Sequence, residues 1–134
     1  MFLLLAMIGL AFDLGRVYIA RNEAQVFVDA ASMAAAKQMD GTSEGLDRSR
    51  EAVSRLPGRW DLGNETFQNV VVEFGSDEEH WEARPKQAAD VHFVRVTAPE
   101  NHLDILFLRA VGGPASLTIP ASAIAATNPV RLAE

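Results

Sequence analysis

Residues 1–12, MFLLLAMIGLAF, contain no ionisable side chain, and they open a stretch that reads as one helix to about Met39. All twelve Lys and Arg and all eighteen Asp and Glu lie beyond this segment, the first being Asp13 and the next Arg16. A dozen residues at about 1.5 Å rise cover roughly 18 Å, short of the about 20 residues that a bilayer crossing needs. Counting on to Ala20 reaches that length only with Asp13 and Arg16 inside the apolar slab, where unpartnered charges are expensive. Such a segment suits a membrane at one time and a protein core at another.

Beyond Arg16 the pattern becomes a stripe. Val17, Ala20, Ala24, Phe27, Ala31, Ala34 and Ala35 recur at three- and four-residue steps, the helical period. Arg21, Glu23, Gln25, Asp29, Ser32, Lys37 and Gln38 occupy the opposite face. The density of Ala favours helix and allows close approach of another backbone. Asp40-Gly41 ends the run. A helix over residues 1–38 is roughly 57 Å long, longer than a small domain is wide, so one end projects.

The rest of the chain is long enough for one modest core. Thr42 or Ser43 caps a second helix that runs to about Leu56 and stops at Pro57-Gly58. From Thr66 the period becomes two. Phe67–Phe74 reads as a strand, Glu79–Arg84 as its hairpin partner, and Val91–Ala98 as the clearest strand, ended by Pro99. Leu103–Val111 reads as a short apolar helix broken by Gly112-Gly113-Pro114. Leu117–Ala126 reads as a last strand in which Pro120 marks an edge or a bulge. The expected fold is α+β, with residues 1–40 as the helix and 41–134 as a body holding a second helix and a largely antiparallel sheet of about four strands.

Several function classes lack their residues. There is no cysteine, which removes disulfides, thiol catalysis and Cys-based zinc sites. A net charge of -6 without a basic, aromatic-interleaved patch argues against nucleic acid. No nucleophile elbow, phosphate loop or dinucleotide fingerprint occurs, so no catalytic, cofactor or metal residues are assigned and the chain is not expected to be an enzyme. Asp77, Glu78, Glu79, His80 and Glu82 are the one dense group of oxygen and nitrogen ligands. Charge runs of this kind mark solvated loops, and a hard cation such as calcium is the ion that would suit them. Asn64-Glu65-Thr66 fits the N-glycosylation sequon, making Asn64 a candidate site. No basic residue precedes the apolar run, so the expectation is that either a leader has already been removed or the chain begins mid-gene.

The run Phe12-Asp13-Leu14-Gly15-Arg16-Val17-Tyr18, followed by Gln25, Asp29-Ala30-Ala31 and an Ala-rich stretch, resembles the start of TadE/TadG-like proteins of Flp/Tad pilus assembly. The downstream half is similar too, in its Val-rich strand, the apolar turn Leu106–Gly112 and the final strand Ser116–Ala126. The resemblance implies a single N-terminal membrane-inserted helix, an exported body and a role in surface pili. One departure is Leu5, because processed pilins carry Glu at the fifth mature position.

On this reading the chain is a structural subunit of an extracellular pilus-like filament at the cell surface. It is inserted in the inner membrane before assembly, is handled by the pilus assembly machinery, and polymerises with copies of itself. The alternatives are an anchored accessory protein of the pilus machine or a tethered adhesion module. The filament-core residues are Phe2, Leu3, Leu4, Leu5, Met7, Ile8, Leu10, Phe12, Asp13, Arg16, Val17 and Tyr18. An apolar rod leaving the membrane must bury its surface again, and packing against identical rods does so. Two roles stay open for Asp13: an i, i+3 pair with its own Arg16, or a pair with Arg16 or the Met1 amino group of a neighbouring copy. Leu103–Val111 is expected to dock on the amphipathic half of the long helix.

Overall fold

A computed structural model describes residues 1–60, 65–99 and 101–127, without the side chains of 59, 60, 65 and 66. The order is α1 (Phe2–Ala36), α2 (Ser43–Arg55), β1 (Arg59–Trp60), β2 (Glu65–Thr66), β3 (Val71–Gly75), β4 (Phe93–Ala98), β5 (His102–Asp104), β6 (Ser116–Thr118) and β7 (Ala121–Ala126). Single 3-10 turns lie at Ala88–Asp90 and Leu108–Val111. The α+β class and the long first helix hold. The single sheet does not: the strands form β1-β2, β3-β4-β7 and β5-β6. Asn64 lies outside the described residues.

Two compact units divide the chain. The first comprises Met1–Phe27, Pro57–Val70 and Ala98–Ala121. Its interior holds Ala20 and Ala24 of α1 with Leu103, Ile105 and Ile119. β5 and β6 pair antiparallel, with Leu103 opposite Leu117. Asn101, 4 % exposed, ties off this hairpin: its side-chain amide donates to the carbonyls of Ala98 and Ile119, and its own carbonyl accepts from the Ile119 N–H. The neighbouring Pro120 has no N–H to continue a ladder, so the expected last strand is two strands in different sheets.

The second unit comprises Val28–Leu56, Val71–Thr97 and residues 122–134. Val28, Ala31 and Ala35 of α1, Leu46 and Val53 of α2, and Phe74, Val94 and Val96 are buried there. β4 alternates half-buried and buried positions along FVRVTA, as a strand with one face on a core must. β3 pairs antiparallel with β4, and Glu73 faces Arg95 in a two-nitrogen ion pair. The expected Glu79–Arg84 strand is reduced to one bridge, Phe74 to Glu82. β3 begins at Val71 rather than Phe67, because Asn69 takes a left-handed φ of 51° that no strand accommodates.

Thr42 caps α2, its hydroxyl accepting from the Gly45 N–H at 3.0 Å. Replacing Thr42 with Ala should cost about 1 kcal/mol in chemical denaturation. Asp40 braces the cap. The Thr42 hydroxyl and N–H, then Arg48, hold its carboxyl below the usual carboxylate range against a smaller opposing effect of burial. A depressed carboxyl contributes stability above its unfolded pKa, so this contribution is present near neutrality and fades as acidification protonates Asp40.

Candidate assembly surface on the first helix

The N-terminal end of α1 is exposed on most sides. Met1, Phe2, Leu3, Leu4, Leu5, Met7 and Ile8 are all more than 60 % exposed, and Leu10 and Phe12 remain about half exposed. Leu14 and Ile19, which the sequence reading did not single out, extend this apolar surface, and Tyr18 stands 75 % exposed beside them. The helix is long and apolar enough to cross a membrane, by length and composition, and little of its apolar window is buried. A monomer that leaves so much contiguous apolar side chain uncovered has an interaction surface.

One narrow face is covered. Ala6, Gly9, Asp13, Arg16 and Val17 are buried or half-buried, at the three- and four-residue steps that continue into Ala20 and Ala24. Over Ala6, Gly9 and Asp13 of this face lies the segment after β5, residues 105–111. The sequence suggests a helix here, yet Leu103 is drawn into a β-ladder with Leu117, and only a 3-10 turn follows. The turn closes at Gly112, whose φ of +88° suits a residue without Cβ. The segment docks on the apolar half of α1, not on the amphipathic half. Phe107 lies edge-on to Phe12, with ring centroids 5.3 Å apart, and rests directly over Gly9. A Cβ at Gly9 would fall 2.7 Å from the Phe107 Cβ. Gly9→Val should therefore push the turn off the helix, raising amide exchange at Leu106–Leu108 while far-ultraviolet circular dichroism stays near wild type.

Asp13 fixes the contact. It is 3 % exposed, and its carboxylate accepts three successive backbone N–H groups: Leu106 at 3.1 Å on Oδ1, and Phe107 at 2.9 Å and Leu108 at 2.6 Å on Oδ2. These amides open the 3-10 turn and have no carbonyl partner within it, so a side chain 93 to 95 residues away in sequence serves as its cap. Arg16 points elsewhere, donating from Nη1 to the Asp104 carbonyl at 2.9 Å. The carboxylate is thus held by backbone N–H groups of its own chain, with the Arg16 charge close enough to favour it. Sequence spacing gave no hint of this, since nothing local links Asp13 to residues 106–108.

The acidic group in the second unit is a turn. Asp77 Oδ1 accepts from the Glu79 and His80 N–H groups and faces His80 Nδ1 at 3.0 Å. Its oxygens are engaged in holding the loop.

Residues 1–38 match a family model described as putative Flp pilus-assembly TadE/G-like. The match takes in the exposed helix end, Asp13 and Arg16, and stops near the end of α1. It does not reach the downstream strands and turn, where the sequence also suggested a likeness. No curated protein and no solved structure matches the chain.

Proposed function

We propose that the chain is a pilus-associated structural subunit that polymerises through the exposed end of α1, after a stage in which that end is held in the inner membrane. The observation that carries this is the projecting apolar helix end, within a segment matching a pilus-assembly family. Phe2, Leu3, Leu4, Leu5, Met7, Ile8, Leu10 and Phe12 supply the packing surface, with Val17 and Tyr18 at its base. Each large apolar side chain moved from water to a helix bundle contributes about 1.5 to 3 kcal/mol, so a few identical contacts offset the entropy of association. A copy-to-copy contact that does not close on itself yields a filament. The body, residues 41–134, would clothe such a core.

A second reading has its own support. Asp13 is engaged by three backbone N–H groups of its own chain, which leaves this carboxylate little capacity to set subunit register with a neighbouring copy. That favours an accessory protein that stays anchored in the membrane. Negative-stain microscopy of material sheared from expressing cells separates the two. Filaments that bind antibody to this chain support polymerisation, whereas recovery of the chain solely as a detergent-soluble monomer supports the anchored protein.

A further inference from the structure

We propose that α1 of one copy pairs in parallel and in register with α1 of a second copy, along a seam from Leu5 to Val26 that draws closest at Gly15. This rests on the reading of the helix end as membrane-held before assembly, because helices inserted from the same side run parallel. Leu5, Phe12, Ile19 and Val26 stand seven residues apart, and each is between 48 and 63 % exposed. Ile8, Gly15 and Asn22, also exposed, fall between them, so that steps of three and four alternate without a break. A large apolar residue at every seventh position suits one helix seated against another, since slight supercoiling keeps such a row facing its partner. The buried face of the same stretch uses a different set, Asp13, Ala20 and Ala24, and all of these residues belong to the first unit.

Two features separate this row from the general apolarity of the helix end. The first is that it runs on where that end stops. Leu4, Met7, Leu14 and Tyr18 form another exposed ridge, but its next positions are Arg21 and Gln25, whereas Ile19 and Val26 keep the seam apolar. The second is Gly15. A glycine inside a helix costs stability relative to alanine, and Gly9 has its reason in the Phe107 side chain above it. A Cβ at Gly15 would meet nothing within 4 Å, so no contact of its own chain calls for glycine there. A second helix does call for it, because small residues let two backbones approach closely. Asn22 carries both donor and acceptor on its amide, so it can bond its own counterpart, which it meets in a parallel, in-register pair. Leu3, Leu4, Met7 and Leu14 remain exposed on another side of each helix, where they can join pairs into a longer assembly.

The chain has no cysteine, so single-cysteine variants of the full-length protein, oxidised in assembled material, report which positions meet their own counterparts. Ile19→Cys and Val26→Cys should form disulfide-linked pairs about tenfold faster or more than Arg21→Cys, an exposed position on another side of the helix. Gly15→Leu should raise the concentration needed for assembly about tenfold or more, with Gly15→Ala between it and wild type. Far-ultraviolet circular dichroism and amide exchange at Leu106–Leu108 should stay unchanged in both, since Gly15 touches nothing else in its own chain. Cross-linking at Ile8→Cys with none at 19 and 26 would overturn the seam yet leave assembly through the helix end standing. Absence at 8, 19 and 26 alike would remove that reading and the proposal together. Equal rates at 19, 21 and 26 would mean random collision and overturn the proposal. Assembly of Gly15→Leu at the wild-type concentration would show that no helix approaches there, with the same consequence. Should Gly15→Leu fail to fold, the rates at 19 and 26 decide.

Discussion

Deleting Met1–Ile8 should leave a folded, monomeric protein that no longer assembles. Every large apolar side chain in this octapeptide is more than 60 % exposed, so its loss removes little from the core. Deletion begins short of Gly9, Phe12 and Asp13, and the turn at Leu106–Leu108 keeps its seat. For assembly the same residues dominate. Covering seven such side chains would contribute on the order of 10 kcal/mol per copy. No substitution at the polar surface approaches that. Sedimentation without detergent, at concentrations where the full chain associates, is the check. Continued polymerisation of the shortened chain would move the assembly surface to the body.

Asp13→Ala should be the most destabilising single substitution in the first half of α1, exceeding Arg16→Ala and Phe107→Ala. Losing Phe107, a half-exposed ring on one aromatic neighbour, should cost about 1 to 2 kcal/mol. Removing the carboxylate instead strands three backbone N–H groups at once, and an unmatched buried donor loses its water without replacement. Asn should fall between, because one carbonyl oxygen remains to accept while the amide nitrogen opposes an N–H. Amide exchange at Leu106, Phe107 and Leu108 should rise by orders of magnitude in Asp13→Ala. Arg16→Ala alone should leave those three amides protected, since Arg16 donates to the Asp104 carbonyl and gives the carboxylate only a nearby charge, and Asp13→Ala/Arg16→Ala should not recover what Asp13→Ala loses. Unchanged exchange at the three amides, or rescue by the double substitution, would restore an Asp13–Arg16 pair.

Local signals explain what was readable. α1 was legible because Ala20, Ala24, Ala31 and Ala35 keep the helical step over a long run, and α2 because Thr42 caps it and Pro57-Gly58 stops it. β4 was legible because its alternation is unbroken. Leu103–Val111 misled because LDILFLRAV has apolar residues at helical spacing. Its backbone found better partners at a distance, in Ser116–Thr118 for the first residues and in Asp13 for the next. Tertiary hydrogen bonds overrode a local period. Phe67 misled in a similar way: its ring stacks on Phe27 at 4.5 Å and its N–H goes to the Gly58 carbonyl, so it packs on the helix instead of entering β3. The exposed helix end was visible in the composition alone, whereas the residues that bound it on one side, Gly9 and Phe107, become meaningful only once the fold brings them together.

The central claim is that copies of this chain meet through the exposed end of α1, and oxidative cross-linking tests it most directly. With no native cysteine, any disulfide in a single-cysteine variant joins two copies. Leu4→Cys and Ile8→Cys, both largely exposed, should give covalent oligomers in assembled material. Ala20→Cys, at a position with no exposure, should give none. Cross-linking absent at 4 and 8 but present at an exposed body position such as Ser54→Cys would contradict the claim, placing the subunit contact on the body and leaving the helix end to the membrane alone.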